Sequence, residues 1–107
     1  MPIEPGKLRH RIAIESPTRS KNEFGEEVEG WSVLAEVRAS VEPLSGRELW
    51  QAQQVAAQVS HRVQIRYRPG VEPEQRVCHR GRHLEISVVR NIEERNEWLE
   101  LLCIEKV

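Results

Sequence analysis

A chain of 107 residues with 38% apolar content is sized for one core that buries roughly 60 to 70% of the surface of its unfolded form, so residues 1–107 are read as a single domain. Sixteen basic residues stand against 17 acidic ones, and this near balance removes bulk attraction to nucleic acid or anionic lipid. Every acid is Glu, so the commonest ligands of Mg²⁺ and Ca²⁺ loops are missing and a metal-nucleotide enzyme is not indicated.

Met1 to Lys7 has no apolar leader, and no run in the chain approaches the 18 apolar residues of a membrane span, so the protein is expected to stay in the compartment where it is made. Pro2 and Pro5-Gly6 predict a stiff, extended lead-in. Leu8, His10, Ile12 and Ile14 then alternate with Arg9, Arg11, Ala13 and Glu15, the period-two pattern of a first strand. His10 falls on its inward side, where a core or rim histidine is the expectation rather than a catalyst.

Ser16 to Glu27 is polar and rich in turn formers, which predicts a long mobile hairpin loop with Gly25 at positive φ. Its charge runs from basic (Arg19, Lys21) to acidic (Glu23, Glu26, Glu27, Glu29), and Phe24 lies at the change. One reading is a solvated tip; the other is that Phe24 anchors the loop in a partner while the charges set register. The second strand is predicted from Val28 to Val41, with Trp31 in phase with Val33, Ala35 and Val37 and a bulge at Gly30.

Pro43 ends that strand, and the period changes. Ser45 with Glu48 three residues on has the form of a capping box, which predicts a helix of three to four turns starting at or near Ser45. Leu49, Ala52, Val55, Ala56 and Val59 form its apolar stripe. Trp50 falls on the flank, either at the rim of the core or as a contact for a neighbouring subunit.

Val59, His61, Val63, Ile65 and Tyr67 alternate with a face that carries Arg62, Gln64, Arg66 and Arg68, a third strand stopped by Pro69-Gly70. The arginine face is either solvated or turned to a polyanion. A tight hairpin follows, Val77-Cys78-His79 and Leu84 to Val88 about Arg80-Gly81, with Gly81 at positive φ. That turn would pair Cys78 with His83 and point His79 to the other face; without a second Cys or His pair at finger-like spacing, zinc is not indicated. Cys78 and Cys103 both lie in strand patterns and are expected as thiols, a bond between neighbouring strands being the alternative. Asn91 to Glu97 is a polar connection, and Trp98 to Ile104, apolar on both faces, predicts a central strand covered by the sheet on one side and the helix on the other.

The sum is a mainly β chain: a small six-stranded barrel or sandwich with one helix between strands two and three. Three phrases, Ala39-Ser40-Val41-Glu42-Pro43-Leu44-Ser45-Gly46-Arg47-Glu48, Val63-Gln64-Ile65-Arg66-Tyr67-Arg68 and Arg76-Val77 through Gly81 to Ile86, resemble the phage head-tail joining family. The opening Gly6-Lys7-Leu8-Arg9-His10-Arg11-Ile12, followed by a polar loop with Gly25-Glu26 and then Trp31, is similar to how these short proteins begin. The resemblance implies a structural virion protein of a tailed phage or prophage, assembled in the bacterial host cytoplasm. It implies a homo-oligomeric ring matched to the twelve-fold portal, with portal or adaptor protein above and tail or tail-completion protein below. Phe24, Glu23, Glu26, Glu27, Glu29 and Trp50 are then candidates for subunit or partner contacts. Arg62, Arg66 and Arg68 are candidates for a face turned to packaged DNA or to an acidic partner.

Within the class the resemblance implies, a tail-side completion protein of similar fold is the nearest alternative; two other classes compete. A single-stranded nucleic-acid module of OB type would combine a basic groove with stacking aromatics, but five aromatic residues are scattered through the chain and only Tyr67 between Arg66 and Arg68 is a local candidate. An enzyme would need a nucleophile pair, a metal cluster or a phosphate loop, and no such pattern is present, so no catalytic residue and no cofactor is assigned.

Overall fold

Alternation along the chain becomes six antiparallel strands in a computed structural model that describes residues 5–106; the extended lead-in expected from Pro2 lies outside them, and Pro5–Lys7 form a single 3-10 turn. The strands are β1 (His10–Lys21), β2 (Glu27–Pro43), β3 (His61–Arg66), β4 (Arg76–His79), β5 (Arg82–Asn91) and β6 (Trp98–Lys106), with the helix α1 (Gly46–Val55) between β2 and β3. They close as a barrel in the order β1-β2-β3-β6-β5-β4, so every strand has two neighbours and the sandwich alternative falls away. The inward residues of the alternating runs fill it: Ile12, Ile14, Ala39, Val63, Ile65, Val77, Leu84, Ile86, Leu101 and Cys103 are essentially inaccessible. As expected of a strand apolar on both faces, β6 also turns Leu102 outward to a second cluster, where Leu44 and Val59 meet Leu49, Ala52 and Ala56 of the helix region. An extra residue at Ser87 shifts the phase of β5, so that Val88 joins this outer cluster while Val89 packs on the inner one.

Three expectations are corrected. The stretch from Ser16 to Glu29 is not a long loop, because β1 runs on to Lys21 and β2 begins at Glu27, paired residue by residue from Pro17↔Trp31 to Lys21↔Glu27. Beyond Glu15, β1 leaves β4, and β2 meets β3 only from Ala39 onward, so the two strands continue alone as a ribbon past the barrel. The irregularity in this pair lies at Leu34, not Gly30: Ile14 faces Ala35 and Glu15 faces Val33. Gly30 is instead a close approach, since a Cβ there would come within 3.2 Å of Thr18 Oγ1.

The helix also differs from its expectation. Ser45 is extended (φ −149°) and occupies the N-cap position, but its hydroxyl makes no capping hydrogen bond. Gly46 turns the chain into the helix from a left-handed conformation (φ +56°), and Glu48 reaches toward Arg62 rather than back to Ser45. The helix spans ten residues and stops at Val55, which is 68% exposed instead of lying in the buried stripe; Val59 reaches the cluster from the chain beyond it.

Candidate functional site

The ribbon ends in a turn built by one side chain. Asn22 Oδ1 accepts hydrogen bonds from the backbone amides of Phe24 (2.9 Å) and Glu26 (3.0 Å), while the amide of Gly25 donates to the carbonyl of Asn22 at 3.0 Å. Gly25 takes the positive φ expected of it, +77°. The turn presents Phe24 away from the barrel, 79% exposed, between Glu23 and Glu26. The other two acids of this arm stand opposite basic residues in the ribbon register, Glu27 facing Lys21 and Glu29 facing Arg19, though among the described residues neither pair closes to within 4 Å. Only Glu23 and Glu26 remain at the tip without a basic residue opposite them.

The base of the ribbon is tied to the barrel through β4. Arg76 Nε donates to Glu15 Oε1 at 2.7 Å, and its guanidinium lies 4.0 Å from the centre of the Trp31 ring. Cys78 Sγ donates to the same Glu15 oxygen at 3.0 Å. That thiol bond and then the guanidinium hold the Glu15 carboxyl below the usual carboxylate range. Burial, followed by the bond to Glu15, pushes the Cys78 thiol up to about 11, and burial alone pushes Cys103 up to about 12. Both cysteines are free, on strands separated by β5, so the disulfide alternative is not realised.

A second surface lies where β3 parts from β2. Ala39↔Ile65 is the last pair between them; beyond it the strands splay and leave a cavity of about 330 Å³ lined by Leu8, Val37, Arg38, Arg66, Tyr67 and Arg68. Arg66 is held with its guanidinium 5.0 Å from the centre of the Trp98 ring. Among the described residues no carboxylate lies within 4 Å of Arg38, Arg66 or Arg68, and Nε of Arg68 is buried without a hydrogen-bond partner. Arg62, expected on the same cationic face, is engaged internally: it pairs with Glu42 at 2.8 Å and Glu48 at 3.6 Å. Burial works against its charge, and the Glu42 bond with the neighbouring carboxylates outweighs that, so its pKa rises above the ordinary value. Arg38 joins the cluster in its place, which no alternation pattern could show because it depends on where two strands separate.

Trp50 is 64% exposed on α1 and does not cover the rim of the core. Beside α1 a groove runs over Leu44, Ala52, Val88 and Leu102, with a charged rim that is internally paired, Arg62 to Glu48 and Arg90 to Glu100 at 3.0 Å. The histidines are scattered. His10 and His79 meet edge to face at 4.6 Å at the barrel rim, His83 pairs across the β4–β5 hairpin with Cys78, and His61 lies against Ser60 Oγ at 2.8 Å and Arg82 at 3.1 Å. Chemically, these surfaces offer exposed aromatics, cations and a shaped ribbon, the features of binding surfaces.

A family model described as phage head completion protein matches residues 3–106. Head completion protein gp7 of Enterobacteria phage HK97 is 31% identical over 106 residues, covering 94% of this chain and 95% of that protein. A Shigella flexneri 2a protein solved in solution is 27% identical and superposes with a TM-score of 0.76 over 98% of both chains. A chain from the virion of a native gene transfer agent particle, 19% identical, shares the fold with a TM-score of 0.61 over 92% of this chain and 96% of its own.

Proposed function

We propose, from the premise that the chain belongs to the phage head completion protein family, that it is a structural virion component of the joint between the head and tail of a tailed phage or prophage. Copies assemble as a ring below the portal, close the DNA-filled head and receive the tail or its completion protein. The role is one of binding and not of catalysis. The observation that carries the reading beyond family membership is the division of labour within the fold: a closed barrel satisfies its own core, while a turn-capped ribbon and an exposed Trp50 leave two aromatic anchors for other chains. In this reading Phe24, Glu23 and Glu26 form the partner contact at one end of the molecule, with Trp50 as a second contact on α1. The arginines at the strand fork face an acidic neighbour.

Removing the chain from cells that produce the particles tests this. DNA-filled heads and free tails should accumulate without joining, and adding back the purified protein should yield tailed particles. Tailed, infectious particles formed in its absence would overturn the proposal.

A further inference from the structure

We infer that one copy of this chain binds the next head to tail, the acidic aromatic tip Glu23-Phe24-Gly25-Glu26 seating in the neighbour's fork between Arg38, Arg66 and Arg68 over Leu8, Val37 and Tyr67. The inference rests on the ring reading above and assigns the contact that would build it.

The two surfaces have the same chemistry with opposite sign. The fork is an apolar floor flanked by guanidiniums that have no carboxylate within 4 Å among the described residues, and one of them keeps a buried donor without an acceptor. A ligand that satisfies it carries an apolar group with anions on both sides. The tip is such a segment, because Phe24 stands exposed between two glutamates and Asn22 fixes the turn before any partner arrives. Little ordering cost then remains for binding. The groove beside α1 has an apolar floor too, and its Arg62 also keeps a buried Nε without an acceptor, but there the arginine charges are already paired with Glu42, Glu48 and Glu100, whereas those of the fork are not.

A copy cannot fill its own fork. Glu26 and Arg38 are separated by twelve steps along the chain, mostly in the single strand β2, or about 40 Å at the rise of a strand, in a molecule 51 Å long. The tip therefore meets the fork of a different copy. Two unlike patches on one subunit make a heterologous contact, which repeats from copy to copy and closes into a ring when the rotation allows.

Sedimentation velocity at low salt, from micromolar to millimolar concentration, tests the contact with the full chain and three variants. Wild type should self-associate. Glu23→Arg/Glu26→Arg and Arg38→Glu/Arg66→Glu should each weaken that association more than about tenfold, since like charges then meet. Mixed in equal amounts, the two should associate again, because each reversed tip finds a reversed fork. Phe24→Ser changes a side chain at an exposed turn, and it should weaken association with an unchanged melting curve. A wild type that stays monomeric throughout, variants that associate like wild type, or a mixture that fails to recover would each overturn the tip-to-fork contact. None of these would touch the joining role, whose failure is read separately as tailed particles assembling without the chain.

Discussion

Replacing Arg76 with Ala is expected to destabilise the protein by about 2 kcal/mol. Arg76 makes three side-chain contacts, and two of them set that figure; the third, Nη1 to His83 Nδ1 at 3.1 Å, is exposed to water and adds little. The Nε bond to Glu15 is short, 2.7 Å, and both side chains are about four-fifths buried, so it belongs with hydrogen bonds to charged groups, worth about 1.5 to 3 kcal/mol. The guanidinium over Trp31 adds about 0.5 to 1 kcal/mol, since the indole is 42% exposed and water weakens the attraction. Contacts made by one side chain do not add fully, which places the expected loss near the low end of the summed range. For a domain of this size the melting temperature should fall by about 8 to 12 °C. Thermal and denaturant melts of Arg76→Ala, Trp31→Leu and the double variant measure both the loss and the coupling, which should be about 0.5 to 1 kcal/mol. A loss under about 0.5 kcal/mol would place Arg76 among ordinary surface residues and refute the view that it ties the ribbon to the barrel.

The carboxyl of Glu15 titrates below its unfolded value of about 4.3 to 4.5, so its contribution is complete above that pH and is lost as pH falls through the lower folded value; Glu15→Gln should flatten the acid limb of a stability-against-pH curve below about 4.5. With thiol pKa values of about 11 and about 12, Cys78 and Cys103 should resist a disulfide reagent at pH 8 in the folded protein and react promptly in denaturant; rapid labelling of the folded form would contradict their placement. Ser45→Ala should cost no more than a few tenths of a kcal/mol because its hydroxyl caps nothing, whereas Gly46→Ala should cost about 1 to 2 kcal/mol, as the left-handed backbone penalises a Cβ. Equal effects of the two substitutions in denaturant melts would show that the helix begins differently.

Wherever one face of a strand is buried, its position was legible in the sequence. Ile12 and Ile14, Val63 and Ile65, and Leu84 and Ile86 alternate because water is excluded from one side only. The ribbon resembles a loop in sequence for the same reason: between Ser16 and Lys21 both faces of β1 meet solvent, so no alternation marks it, and its polar, turn-forming residues, Pro17 among them, are tolerated because the strand has a free edge. Ser45 and Glu48 have the spacing of a capping box, but spacing does not report that Gly46 enters the helix with positive φ or that the Ser45 hydroxyl makes no capping hydrogen bond. Of the site, the sequence showed Phe24, the acids around it and Arg66 with Arg68. It could not show that Glu27 and Glu29 face Lys21 and Arg19, or that Arg62 is held by Glu42 and Glu48, since pairing partners are fixed by register.

The 17-residue strand β2 belongs to the ribbon at one end and to the barrel at the other, and this makes the molecule mechanically anisotropic. A pull on Phe24 along the strand is carried by the backbones of β1 and β2 side by side into the barrel, where the β1–β4 and β2–β3 ladders resist it in shear and their bonds must yield together. A sideways push meets only a two-stranded ribbon, which bends and twists easily because no third strand braces it. A chain built this way holds firmly against tension and yields to lateral misalignment, the properties of a flexible coupling between two stiff bodies.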